Sequence, residues 1–121
     1  MKAVAIIFAT IVRVIDGDTV RVDLPDCNVD LVCKNIEVRF AGIDTPELHS
    51  KCPAEKERAL KAKAMVEQAF PKGTQFVLAD PKKDKYFRIL AFAPVVSKQL
   101  LDAGLAIPYG GEKKIYDWCK L

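Results

Sequence analysis

Ile11-Val12-Arg13-Val14-Ile15-Asp16-Gly17-Asp18-Thr19-Val20-Arg21-Val22-Asp23-Leu24 is the stretch that decides the fold. Its first half is rich in β-branched residues, which favour strands. In its second half Val20, Val22 and Leu24 alternate with Arg21 and Asp23, the mark of a strand with one wet face. Asp16-Gly17 between the halves is a strong two-residue hairpin signal. Residues 4–24 are therefore expected to form an antiparallel hairpin, ended by Pro25-Asp26. On this reading Asp18 lies beyond the turn, where the turn itself does not require an acid.

The pattern continues outward. Ile36, Val38 and Phe40 share one face of a third strand over 36–43, and Glu37 and Arg39 the other. Gly42 inside it suggests a bulge or a close backbone approach. Residues 44–53 read as a turn with Pro46 and Pro53. Residues 54–70 read as a helix: Ala59, Ala62, Val66 and Ala69 form an apolar stripe with Leu60, Met65 and Phe70 beside it. Pro71-Lys72-Gly73 stops it. A strand is expected over 74–79, a charged turn over 80–85 and a strand over 86–93, cut by Pro94. Ser97 is read as the cap of a helix over 98–106 that ends near Gly104. The tail, 107–121, has room for one short helical turn. This order predicts an α+β, mainly β fold: a five-stranded barrel of the OB type with two or three helices.

A chain of 121 residues is expected to make one domain, spanning 1–121. Six glycines and seven prolines exclude a collagenous or disordered chain. No apolar run approaches the roughly 18–20 residues that span a bilayer. The net charge of +3 permits a polyanionic partner without requiring one. Ala3 to Ala9 is apolar but short for a signal core, and reads better as part of a strand. Cys27, Cys33, Cys52 and Cys119 lack zinc spacing, and His49 is the only histidine. They are either small buried thiols or two disulfides; if the latter, Cys27–Cys33 with Cys52–Cys119 is the favoured pairing.

Several short motifs admit both a structural and a chemical reading. Asp16-Gly17-Asp18-Thr19 is a turn, or a turn followed by a carboxylate free to bind a cation. Asp44-Thr45-Pro46-Glu47 is a helix start with Thr45 as cap. Alternatively, Pro46 holds Thr45 extended. With Glu47 one turn on, two carboxylates, the Thr45 carbonyl and water would then offer hard oxygen ligands for Ca²⁺. Arg39 and Arg88 are solvated strand residues, or phosphate-binding guanidiniums. Lys82-Lys83-Asp84-Lys85-Tyr86-Phe87-Arg88 is a solvated turn, or a basic edge with a ring for a base. Tyr109 packs or stacks on a base. His49 is read as a surface residue near the site, without a catalytic role.

Taken together, Ile-Asp-Gly-Asp-Thr (15–19), Val-Arg-Phe-Ala-Gly-Ile-Asp-Thr-Pro-Glu (38–47), Asp-Lys-Tyr-Phe-Arg (84–88) and Ala-Gly-Leu-Ala (103–106) resemble the staphylococcal nuclease (thermonuclease) family. The resemblance covers residues 10 to about 109. It implies an OB barrel that hydrolyses phosphodiester bonds of DNA and RNA with one Ca²⁺ ion, leaving 3′-phosphate ends. Asp18, Asp44 and Thr45 match the family's metal positions. Arg39 and Arg88 match its catalytic arginines, and Glu47 its debated general base. Lys85 and Tyr86 match positions near the nucleotide phosphate. Tyr109 joins them as a substrate-binding candidate. The reaction needs these groups, because an anionic diester repels its nucleophile until its oxygens are neutralised.

The chain departs from the type pattern in four places. Phe87 replaces a glycine, the stretch after Glu47 is shorter, the turn after the fourth strand is shorter, and the chain ends soon after the second helix. The resemblance and the even cysteine count favour a secreted or periplasmic monomer acting on single-stranded DNA and RNA, with no membrane partner and no visible signal peptide. The competing reading is a non-catalytic OB module that binds nucleic acid or protein.

Overall fold

In the computed structural model, residues 5–25, 27, 33–83, 88–111 and 116–120 are described. The hairpin forms first strand β1 (Ile6–Asp16) and β2 (Thr19–Asp23). They are followed by β3 (Ile36–Phe40), β4 (Ile43–Asp44), α1 (Pro53–Ala69), β5 (Gln75–Lys83), β6 (Ile89–Phe92), α2 (Pro94–Asp102) and β7 (Ile107–Pro108). The sheet closes in the order β1-β2-β3-β6-β5, with β5 returning to β1. β3 and β6 run parallel, and the other barrel pairs are antiparallel. This is the expected OB-type barrel. β4 and β7 form a separate short pair, which the sequence pattern did not announce.

The long β1 pairs with two neighbours because it bends. Its register with β2 shifts between Ile11 and Arg13 and again between Val14 and Asp16. Such bulges add twist and let one strand turn a corner. The second shift also moves the turn. Asp16 pairs with Thr19, so Gly17 and Asp18 are the connecting residues and Asp18 lies in the turn rather than beyond it. Gly17 does not take the left-handed conformation common in two-residue hairpin turns. It is small because a Cβ there would lie 2.8 Å from the Ala62 Cβ.

Three other boundaries differ from expectation. β5 runs past Ala79 to Lys83 instead of ending in a charged turn. It does so through a bulge at Asp80, whose φ is 50°, with Pro81 at the irregularity where its missing N–H is tolerated. β6 is described only from Ile89, because 84–87 lie outside the described residues. α2 begins at Pro94, not after Ser97. Proline suits the first turn of a helix, where its N–H would have no partner. Ser97 is thus inside the helix and buried. Gly104, at φ 72°, closes α2: its N–H and that of Leu105 return to the carbonyls of Leu101 and Leu100 at 3.1 and 2.9 Å.

The core is the barrel interior, where Val20, Val22, Val38, Phe40 and Leu78 are fully buried with Val66 of α1 and Val96 and Leu100 of α2. Ala59, Ala62 and Val66 form the inner face of α1, as the stripe predicts, whereas Leu60 points to solvent. The cysteines are disulfides, Cys27–Cys33 and Cys52–Cys119. The second ties the residue before α1 to the tail. Among the described residues no helix is long and apolar enough to cross a membrane.

Candidate active site

The β1–β2 turn, the end of β3 and the segment after β4 meet on one side of the barrel. Thr19 pairs directly with Arg39, so the turn residue Asp18 comes to lie beside that arginine. Asp18 Oδ2 is 3.2 Å from Arg39 Nη1 and accepts the Thr45 N–H at 3.3 Å. Its other oxygen accepts the Thr19 hydroxyl at 3.0 Å. Arg39 Nη1 also donates to the carbonyls of Phe40 and Ile43, at 2.9 and 3.1 Å. Its Nη2 lies 3.6 Å from Asp44 Oδ1. Arg39 is therefore buried, at 8% exposure, and not the solvated strand residue of the simpler reading. β4 and β7 hold Asp44 in place by pairing it with Ile107.

Asp44-Thr45-Pro46-Glu47 does not start a helix. α1 begins only at Pro53, and residues 45–52 form a loop. Thr45 and Pro46 are buried at its root, while Glu47 is exposed. Arg88, half-buried before β6, points Nη1 to Glu37 Oε2 at 3.3 Å. A cleft of about 290 Å³ is lined by Asp18, Arg39, Thr45, Glu47, His49 and Arg88. Residues from four separate stretches of sequence thus face one space.

A larger groove of about 700 Å³ shares Arg39 and Arg88 with that cleft and continues past Lys82, Phe92 and Tyr109. The Tyr109 ring centroid is 6.0 Å from the Arg39 guanidinium carbon. Tyr109 also donates its N–H to the Gly42 carbonyl at 2.9 Å. Lys85 and Tyr86 lie outside the described residues.

Asp18 and Asp44 oppose one guanidinium, and all their donor atoms are oxygen. Asp16 adds to this corner: its carboxyl is pushed up to about 7, by burial first and then by the Asp18 charge. Among the described residues no three His, Cys, Asp or Glu side chains converge. A hard cation here would use the two aspartates, backbone oxygen and water.

Sequence reading missed three residues of this region. Glu37, read only as sharing the second face of the third strand with Arg39, pairs with Arg88 and lies 3.7 Å from Arg21. Glu55, to which no motif pointed, accepts the Glu47 N–H at 3.0 Å. Phe92, 42% exposed, was read only as part of a strand, and no local pattern pointed it to the groove.

The structure is an OB barrel with acids and arginines gathered on one side. A family model described as staphylococcal nuclease homologue matches residues 37–117, and the chain belongs to that family. An uncharacterized protein of Methanocaldococcus jannaschii is 35% identical over 104 residues, covering 70% of this chain and 47% of that protein. The chain thus spans about half the length of the curated relative it matches.

Proposed function

We propose that this chain hydrolyses phosphodiester bonds of single-stranded DNA and RNA, leaving 3′-phosphate ends. The observation that carries this reading is the single cleft that faces Asp18, Arg39, Thr45, Glu47 and Arg88. Asp18, Asp44 and the Thr45 carbonyl would hold one Ca²⁺. When bound, that ion would supply positive charge to the phosphate oxygens and so lower the barrier to attack.

The chain's own residues do the rest. Arg39 and Arg88 bring planar guanidiniums that match two phosphate oxygens at once, which lysine cannot do. They stabilise the charge that grows on those oxygens during attack. Glu47, on the exposed side of the cleft, is within reach of water and accepts its proton. Tyr109 and Lys82 line the adjoining groove, where a ring and a cation suit the next base and phosphate. Lys85 and Tyr86 belong to the same reading by family position.

The test is degradation of single-stranded DNA with added Ca²⁺ against EDTA, with Glu47→Gln in parallel. Metal-dependent cleavage that the variant loses supports the nuclease and its base together. Salt-sensitive binding of the strand without cleavage would overturn the reading in favour of a non-catalytic binding module.

A further inference from the structure

Glu55 lies in the first turn of α1, but its carboxylate reaches back over the loop that carries Glu47. Its Oε2 accepts the backbone N–H of Glu47 at 3.0 Å, and its Oε1 accepts the Ser50 hydroxyl at 2.9 Å. Ser50 Oγ in turn accepts the Cys52 N–H at 3.1 Å. One carboxylate therefore fastens the loop at two points. Its own base is fixed. Cys52, just before α1, is bonded to Cys119, and Arg58 donates to the Trp118 carbonyl at 2.8 Å.

The chemistry suits a clamp. Glu47 is exposed, and Glu55 holds its loop at two points. A hydrogen bond from backbone N–H to an ionised carboxylate is roughly twice as strong as a neutral one. An acid in a first helical turn is often explained by the helix dipole alone. Here both carboxylate oxygens are directed to the loop instead.

We infer that Glu55 is a positioning residue that sets the place of Glu47 in the cleft through the Glu47 backbone. The inference rests on Glu47 acting as the base. Loss of the clamp lets Glu47 drift, and a displacement of about 1 Å can cost on the order of a hundredfold in rate.

The experiment measures kcat and KM on single-stranded DNA with Ca²⁺ for Glu55→Ala, Glu55→Gln, Glu47→Ala and the double alanine variant. Glu55→Ala is expected to lower kcat about 10- to 100-fold with little change in KM. In the Glu47→Ala background the same substitution should cost no more than about twofold, because its effect runs through Glu47. Glu55→Gln keeps an acceptor for the Glu47 N–H and should recover most of the loss. An unchanged kcat in Glu55→Ala, or an equal loss in both backgrounds, overturns the positioning role. If Glu47→Ala itself is fully active, the base assignment fails and takes this inference with it. Should Glu55→Ala not fold, Glu55→Asp makes the same comparison. It keeps the charge and withdraws the carboxylate by one methylene.

Discussion

Arg39 and Glu47 line the same cleft, yet one sits at 8% exposure on a barrel strand and the other on an exposed loop. The acidic corner around Arg39 is part of the fold. Its side chains are 6–10% exposed, and its hydrogen bonds run to strand and turn backbone. The Glu47 loop is hung on the barrel and held from outside by Glu55 and the Cys52–Cys119 bond. The difference teaches that one site can be part burial and part tether. Buried charge needs its partners for stability, whereas an exposed acid can change without touching the core.

The sharpest break between the two regions pairs a rate with a stability. Glu47→Gln should lower kcat by about 10²- to 10⁴-fold, the usual share of a general base. Its unfolding free energy should stay within about 0.5 kcal/mol of the parent, because Glu47 is exposed. Arg39→Met should lose activity and also cost about 3–5 kcal/mol, since Asp18 and Asp44 would then lack their buried counter-charge. Urea denaturation in EDTA measures the two stabilities, and hydrolysis of single-stranded DNA with Ca²⁺ the two rates. Equal stability in the two variants would erase the distinction.

A second contrast concerns pH. The Asp16 carboxyl, raised to about 7 from an ordinary 3.8 by burial and then by Asp18, belongs to the buried corner. Between those values the folded chain keeps a proton that the unfolded chain has released. The contribution of this group is therefore fully present below about pH 4 and lost as pH rises through 7, at no more than about 1.4 kcal/mol per unit. Above that it is flat. In EDTA, the stability of the parent minus that of Asp16→Asn should fall across this window. A constant difference would show that Asp16 titrates normally.

The barrel was legible because period-two alternation and one hairpin are local signals, and α1 because its alanine stripe is. The turn at Gly17-Asp18 was misplaced by one residue because the bulge beside it arises from curvature of β1 between two partners. Pro94 reads equally as a strand stop and a helix start, and only the packing of Val96 and Leu100 decides between them. In the site, the motifs read alone left each residue between a structural and a chemical role, and the family resemblance named Asp18, Arg39, Asp44, Thr45, Glu47 and Arg88 as candidates. It could not show that Arg39 is buried between the two aspartates, nor that Glu55 folds back on Glu47 across eight residues. Those facts come from a loop path, and no residue pattern encodes that path locally.

Gly17 tests whether the two regions are as separate as they look. Its turn carries Asp18, and it touches both the root of the Glu47 loop and the helix that bears Glu55. A Cβ there would lie 2.8 Å from Ala62 Cβ and 3.1 Å from Thr45 Cβ and Cγ2. Neither neighbour is the free end of a flexible chain, so the turn or the helix must move. Gly17→Ala should cost about 1–3 kcal/mol as an overpacked contact. Ala62→Gly, alone, should cost about 1 kcal/mol as a glycine in a helix. Combined, the two should cost less than their sum by at least about 1 kcal/mol, because the second opens the space that the first fills. A simple sum would place the strain of Gly17→Ala on Thr45 instead. The turn would then be coupled to the loop root and not to α1, and the acidic corner and the tethered loop would share a single point of support.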